Sequence, residues 1–328
     1  FGSPGSYELV GNDWAFKEDR PLRPPLVKEL VLKYVREPRP VSRVLTFNDF
    51  AFRDHTEDAR TPYVYFQPFL PDQDGWQDKA AEVQGAFAEA GIRISCLAGF
   101  YVNHMDADPA VAAGHHEHVR RCLRLAAHLR VPVVAGFAGR VMGQDLEASL
   151  PPFQRIWSEH AKAAEDAGVK IAFEHCPMGA FHSPFGGNNC MCTPAMWERC
   201  FNAVPSPALG LEWDASHLVC QMIEPVANLR QWGGKVFHVH AKDAKVYREV
   251  MDRCGIYHPG AIEHCFPGLG DCDWGQIIKE LVRAGYRGDL NIEGWHDAVF
   301  RNHQDGPQLE DLGLLIAYRH LAQFVDGA

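Results

Sequence analysis

The feature that most constrains this chain is a rhythm. Short runs rich in apolar and β-branched residues recur along it, separated by longer stretches with apolar residues at helical spacing. Eight runs read as strands: Arg43–Asn48, Tyr63–Gln67, Arg93–Ala98, Val131–Phe137, Lys170–His175, Leu209–Asp214, Lys235–His240 and Asp289–Glu293. Several are almost wholly apolar, as parallel strands covered on both faces must be. The spacing predicts helices over Trp76–Ala90, Ala110–Leu129, Pro152–Ala167 and Trp274–Ala284. Gly91, Gly168 and Gly285 follow three of these directly, where a left-handed residue ends a helix. Strand and helix alternating eight times, joined by right-handed crossovers, predict an α/β protein: a single-domain (β/α)8 TIM barrel with an N-terminal extension.

The start of the rhythm admits two readings. The gap from Asn48 to Tyr63 is short for a crossover helix. The alternative places strand one at Tyr7–Val10, a helix at Pro25–Arg36 and strand two at Arg43–Asn48. Residues 1–40 are accordingly an N-terminal extension or the first βα unit, and residues 41–328 the barrel. Nothing in the chain reads as a linker between domains.

Bulk properties narrow the class. A chain of 328 residues with 46% hydrophobic residues can bury one large core. A net charge of −10 makes a poor landing surface for nucleic acid, whose nonspecific affinity comes from Lys and Arg on phosphates. No run approaches the roughly 18 apolar residues that cross a bilayer, and no secretory leader is visible at Phe1. The ten cysteines are scattered, mostly in apolar surroundings, and read as reduced thiols of a cytoplasmic protein. Cys190 and Cys192 form a C-x-C near Cys176 and Cys200, without the paired spacing of a structural zinc site.

In such a barrel the reactive groups gather at the C-terminal strand ends. The last four predicted strands carry Glu174, Asp214, His240 and Glu293 at their C-terminal ends, Glu174 followed there by His175. Each follows an apolar run, where an ionised carboxylate is costly unless paired or bound to metal. One alone is as readily a salt bridge or a capping carboxylate. Three carboxylates and an imidazole at adjacent strand ends call for a divalent cation, and with no thiolate present Mn²⁺, Mg²⁺, Co²⁺ and Zn²⁺ all suit. His238 stands two before His240 and shares its face, to pack or to orient it. His217 stands three after Asp214, as a loop residue, a supporting partner or a cavity residue. His175 either points away from Glu174 or swings into the pocket where the strand ends. Arg140, after the fourth strand, and Lys242 are candidates to hold a phosphate or carboxylate group.

Phe173-Glu174-His175, W-D-A-S-H-L at 213–218, H-V-H-A-K-D at 238–243, P-G-L-G-D-C-D-W at 267–274 and N-I-E-G at 291–294 resemble the sugar phosphate isomerase/epimerase superfamily, with its xylose-isomerase-like barrel. The resemblance covers roughly residues 92–325, with Ala215 where proline is common. It implies that Glu174, Asp214, His240 and Glu293 are metal ligands. It implies an acid/base role for Glu174 and Glu293, a substrate contact at His217, and places beside the site for Lys242 and Asp243.

The expected activity is a divalent-metal-dependent isomerase or epimerase of a ketose, inosose or related sugar, manganese being the first choice of metal. The alternative is a lyase on the same scaffold, an inosose dehydratase or an enzyme deglycosylating 3-keto C- or O-glycosides, with His175 as a second base. Apurinic endonucleases share the fold but use further histidines on earlier strands; here the fourth strand ends at Phe137 and His104 stands alone after the third. A non-catalytic barrel fits poorly with an intact ligand set. The expected partner is a small sugar, not nucleic acid or membrane. A homo-oligomer is expected, or a hetero-oligomer with a small subunit if the lyase reading holds. The loop Cys176–Thr193 is a candidate lid or partner surface.

Overall fold

The computed structural model describes residues 7–10, 13–16, 74–89, 94–177, 187–293, 297–300 and 308–327. The expected strands at 43–48 and 63–67, the helix at 25–36, and the boundary at residue 40 lie outside them. Strands β1 (Tyr7–Val10) and β2 (Asp13–Phe16) pair antiparallel with each other. Tyr7–Val10 is therefore a strand, but one arm of a hairpin rather than the first stave of a parallel sheet. Only two residues separate Val10 from Asp13 in the sequence, too few for the crossover that a parallel pair needs.

Six strands form one wholly parallel sheet. They are β3 (Leu97–Phe100), β4 (Val133–Gly136), β5 (Lys170–Glu174), β6 (Leu209–Asp214) and β7 (Val236–Ala241), followed, after an antiparallel hairpin of β8 (Asp243–Val246) and β9 (Ile262–Cys265), by β10 (Leu290–Ile292). The order is β3-β4-β5-β6-β7-β10, so each strand lies beside its neighbour in the predicted series. The sheet curls: Ser95, just before β3, bonds Asn291 of the opposite edge strand at 3.3 Å. Tyr101, just after β3, reaches Glu212 of β6 at 2.8 Å. A flat sheet would hold these residues several strands apart.

The helices among the described residues are α1 (Trp76–Glu89), α2 (Pro109–Leu129), α3 (Leu150–Ala167), α4 (Pro194–Ala203), α5 (Ala215–Val219), α6 (Pro225–Trp232), α7 (Arg248–Cys254), α8 (Trp274–Arg283) and α9 (Gln308–Ala322). Their starts follow local chemistry. Asp108, Thr193, Glu224 and Asp273 each accept a backbone N–H of the first turn of α2, α4, α6 and α8. Proline occupies the first turn of α2, α3, α4 and α6, where no N–H is needed. Helix α3 ends on Gly168 at φ 67°, as expected.

Alternation along the strands sorts two interiors. Val134, Ile171, Phe173, Leu211, Trp213 and Val239 pack outward against Val119, Phe153, Trp157, Trp197 and Ile277 of the helices. Cys96, Val133, Ala135 and Ala172 form a small inner cluster with Phe237. Between Leu211 and Glu212 the partner on β7 jumps from Val236 to His238, so Phe237 is an extra, bulged residue. Gly210 makes room for it, since a Cβ there would lie 2.5 Å from the Phe237 ring. The bulge lets Phe237 fill the inner cluster while His238 and His240 stand level with Glu212 and Asp214.

Candidate active site

Above the small apolar cluster the inner face turns polar. One ligand atom each from Glu174, Asp214, His240 and Glu293 lies within 4.8 Å of the others, and all four residues are buried. Strand geometry accounts for this. Asp214 pairs in register with His240 on β7, Glu174 ends β5, and Glu293 directly follows β10.

His240 is central. Its Nδ1 lies 3.3 Å from Glu174 Oε1 and 3.0 Å from Glu293 Oε2. Asp214 is fixed at several atoms: its Oδ1 accepts the Ser216 N–H at 2.8 Å, capping α5, and its own N–H donates to His175 Nε2 at 2.9 Å. Its Oδ2 has no aligned hydrogen bond and faces Lys242 Nζ at 3.0 Å and His217 Nε2 at 3.4 Å. Lys242 also donates to Glu293 Oε2 at 3.0 Å, and His217 Nε2 lies 3.2 Å from Glu174 Oε1.

The charges depend on one another. Burial would raise the Glu174 carboxyl, but hydrogen bonds from His217 and His240 outweigh it and hold it well below the usual range. Burial opposes charge on His240, yet Glu212 and Glu293 hold it well above the ordinary histidine range. The same contest, decided by Asp214, raises His217; decided by Asp214 and Glu293, it raises Lys242. The carboxylates thus already gather cations from the protein itself. Three carboxylates, one imidazole and a buried Asp214 oxygen without an aligned donor fit a hard or borderline divalent metal.

The other expected residues fall into two groups. His217 and Lys242 join the cluster. His175 is wholly buried beneath it, with Nε2 taken by the Asp214 N–H and its ring against Trp197. Asp243 is wholly buried and its two oxygens accept four N–H groups, those of Ala244, Gly268, Cys272 and the Trp274 indole. It holds the 268–274 loop against β8. Arg140 is buried too, with Nη2 on the Gln144 carbonyl at 2.8 Å. The ten cysteines are all free thiols.

Sequence reading passed over Glu212, which is fully buried one level below the ligand cluster. Oε1 accepts His238 Nδ1–H at 2.8 Å, Oε2 accepts the Tyr101 hydroxyl at 2.8 Å, and His240 Nε2 lies 3.0 Å from Oε1. Burial would raise its carboxyl, but His240 and His238 outweigh that and lower it. The signal was period two: Glu212 precedes Asp214 as His238 precedes His240.

The family model of the xylose isomerase-like TIM barrel matches residues 59–318, and the chain belongs to that family. The chain is 30% identical over 148 residues to the uncharacterized protein YfiH of Bacillus subtilis, covering 42% of this chain and 44% of that one. It is 28% identical over 145 residues to an inosose dehydratase of Clostridium beijerinckii, covering 43% and 45%. These matches span under half the length of either relative. Among solved structures, a xylose isomerase domain protein from Alicyclobacillus acidocaldarius superposes with a TM-score of 0.59 at 21% identity, over 76% of this chain and 84% of that one. Its fold is therefore that of the TIM barrels.

Proposed function

We propose that this chain is a divalent-metal-dependent isomerase or epimerase of a ketose, inosose or related sugar, with residues 41–328 as its barrel. The carrying observation is the convergence of Glu174, Asp214, His240 and Glu293 within 4.8 Å in a buried site. These four would hold the metal, manganese being the first choice and magnesium, cobalt or zinc also suited. A bound divalent metal polarises a substrate carbonyl and stabilises the negative charge that develops on its oxygen.

The chain's own groups handle the protons. One of the two glutamates removes the proton from the carbon beside the carbonyl, giving an enediolate, and the other returns a proton. Glu174 suits the base because a bound cation would keep its carboxylate ionised, with His217 Nε2 3.2 Å from its Oε1. Lys242 and His217, buried N–H donors 3.4 Å apart, stand where hydroxyl oxygens of a sugar would be oriented.

A second reading is a lyase, in which proton removal is followed by loss of a β-hydroxyl. The inosose dehydratase among the relatives favours it. His175 gives it less support than the sequence suggested, because its Nε2 is already an acceptor for Asp214.

Two experiments test the proposal. Mass spectrometry of the purified protein should find about one divalent metal per chain, lost in Asp214→Ala. Absence of stoichiometric metal after reconstitution would reduce the cluster to an ionic network and remove the mechanism. Incubation with keto-sugars in D₂O, followed by NMR, then separates the readings: deuterium entry with the carbon skeleton intact marks the isomerase, and loss of water marks the lyase.

A further inference from the structure

Beneath the proposed ligands lies a layer of polar side chains that the chemistry above does not use. It contains Glu212, His238, Asn291, Ser95 and Tyr101, and the first four are buried. Its hydrogen bonds have a direction. The Ser95 hydroxyl donates to Asn291 Oδ1 at 3.3 Å. Asn291 Nδ2 donates to the Val239 carbonyl at 3.2 Å and to His238 Nε2 at 2.6 Å. An amide nitrogen cannot accept, so His238 Nε2 is the acceptor and its proton sits on Nδ1. That proton goes to Glu212 Oε1 at 2.8 Å, and the Tyr101 proton to Oε2 at 2.8 Å. Apart from the Asn291 bond to the Val239 carbonyl, the donors in the layer run toward Glu212.

His240 stands on the boundary. Its Nδ1 faces Glu174 and Glu293 among the proposed ligands, and its Nε2 faces Glu212 Oε1 at 3.0 Å. The second contact is at ion-pair distance and off the axis of a straight N–H bond. A metal-binding imidazole needs its free lone pair on one nitrogen and its proton on the other, directed at an acceptor. Only Nδ1 faces the ligand set, so the acceptor has to lie at Nε2, and that is where Glu212 stands. The choice of a charged residue also needs a cause. A fourth carboxylate under three others adds repulsion, and a neutral amide would still accept from His238 or Tyr101.

We propose that Glu212 is a positioning residue for His240: it takes the Nε2 proton, so that Nδ1 is the nitrogen offered to the metal, and His238, Asn291, Ser95 and Tyr101 hold Glu212 in place. This inference rests on the metal-binding reading given above.

The test uses Zn²⁺ alone as the probe, with the full chain and a competing chelator. Glu212→Ala should weaken Zn²⁺ binding by about 10- to 100-fold, and Glu212→Gln, which keeps an acceptor without the charge, should recover part of that loss. In wild type loaded with Zn²⁺ and labelled with ¹⁵N-histidine, His240 should carry its proton on Nε2. Zinc affinity within twofold of wild type in a folded Glu212→Ala, or a His240 proton on Nδ1, overturns the proposal. If Glu212→Ala does not fold, Tyr101→Phe and the NMR measurement decide: the proposal expects several-fold weaker zinc binding in that variant, and unchanged binding overturns it. A wild type that binds no Zn²⁺ overturns the metal reading as well, whereas tight binding that ignores residue 212 overturns this inference alone.

Discussion

At the scale of single residues the site is a contest between desolvation and neighbouring charge. Without a metal, the carboxylates hold protons on His240 and His217 above the ordinary histidine range. A metal bound at His240 Nδ1 must displace such a proton. The sign follows: between the ordinary histidine pKa and the raised one, the metal-free protein carries a proton that the loaded one lacks. Affinity should therefore rise with pH across that window, by up to about tenfold per unit for each proton displaced. Zinc titrations at pH 6, 7 and 8 check this, and a flat profile would remove His240 from the ligand set. Glu293→Gln keeps the shape of the side chain while removing its charge. Turnover should be lost with the fold intact by circular dichroism, since both the Lys242 pairing and the proposed base disappear together. Activity like wild type in that variant would sink the assignment.

At the scale of elements, a histidine cluster pins the loop between β3 and α2. His115 Nδ1 lies 2.9 Å from the Asn103 carbonyl, His116 Nε2 lies 2.9 Å from that of His104, and His118 Nε2 lies 2.7 Å from that of Gly99. His160 of α3 packs against the His116 and Trp157 rings. Burial, then His116 and Arg120, lower the His160 pKa to about 4. The unfolded chain, at about 6.5, binds this proton first. The neutral ring's contribution is therefore complete above pH 6.5 and is lost as pH falls toward 4, to a maximum of about 3 kcal/mol. Urea unfolding of the metal-free protein at pH 7 and pH 5 should show that loss, and His160→Phe should lose less. The β3–β4 contact is equally specific. A Cβ on Gly136 would lie 2.5 Å from the Phe100 carbonyl oxygen. Gly136→Ala should destabilise the protein by about 1–3 kcal/mol, read as a lower urea midpoint.

At the scale of the whole molecule, the proposed ligands come from four neighbouring staves, β5, β6, β7 and β10. A metal joining them would tie together residues about 120 positions apart in the chain, from Glu174 to Glu293. Ligand linkage then predicts stabilisation of about 2.7 kcal/mol at a hundredfold excess of free metal over Kd. Thermal unfolding should shift upward with metal in wild type and stay in place in Asp214→Ala. Among the described residues, no helix is long and apolar enough to cross a membrane.

The sequence by itself determined the rhythm, the last six strands to within a few residues, and the four strand-end residues that now share one site. Apolar runs, period-two alternation and glycine caps are local signals, and they survive folding because burial on both faces demands them. It left the start of the chain open, for the opposite reason: residues 43–67 carry no clear crossover between their runs. It did not disclose the β8–β9 hairpin, whose strands DAKV and IEHC lack an apolar run. Side-chain roles were also beyond it. His175 and Asp243 stand beside the ligands in the chain, yet their hydrogen bonds go to the Asp214 backbone and to the 268–274 loop. Glu212, unremarkable in a strand, became central because curling brings Tyr101 onto it from β3 and a bulge levels it with His238. Hydrogen-bond partners are chosen across the barrel, between residues far apart in sequence, so only the closed geometry of the sheet could decide them.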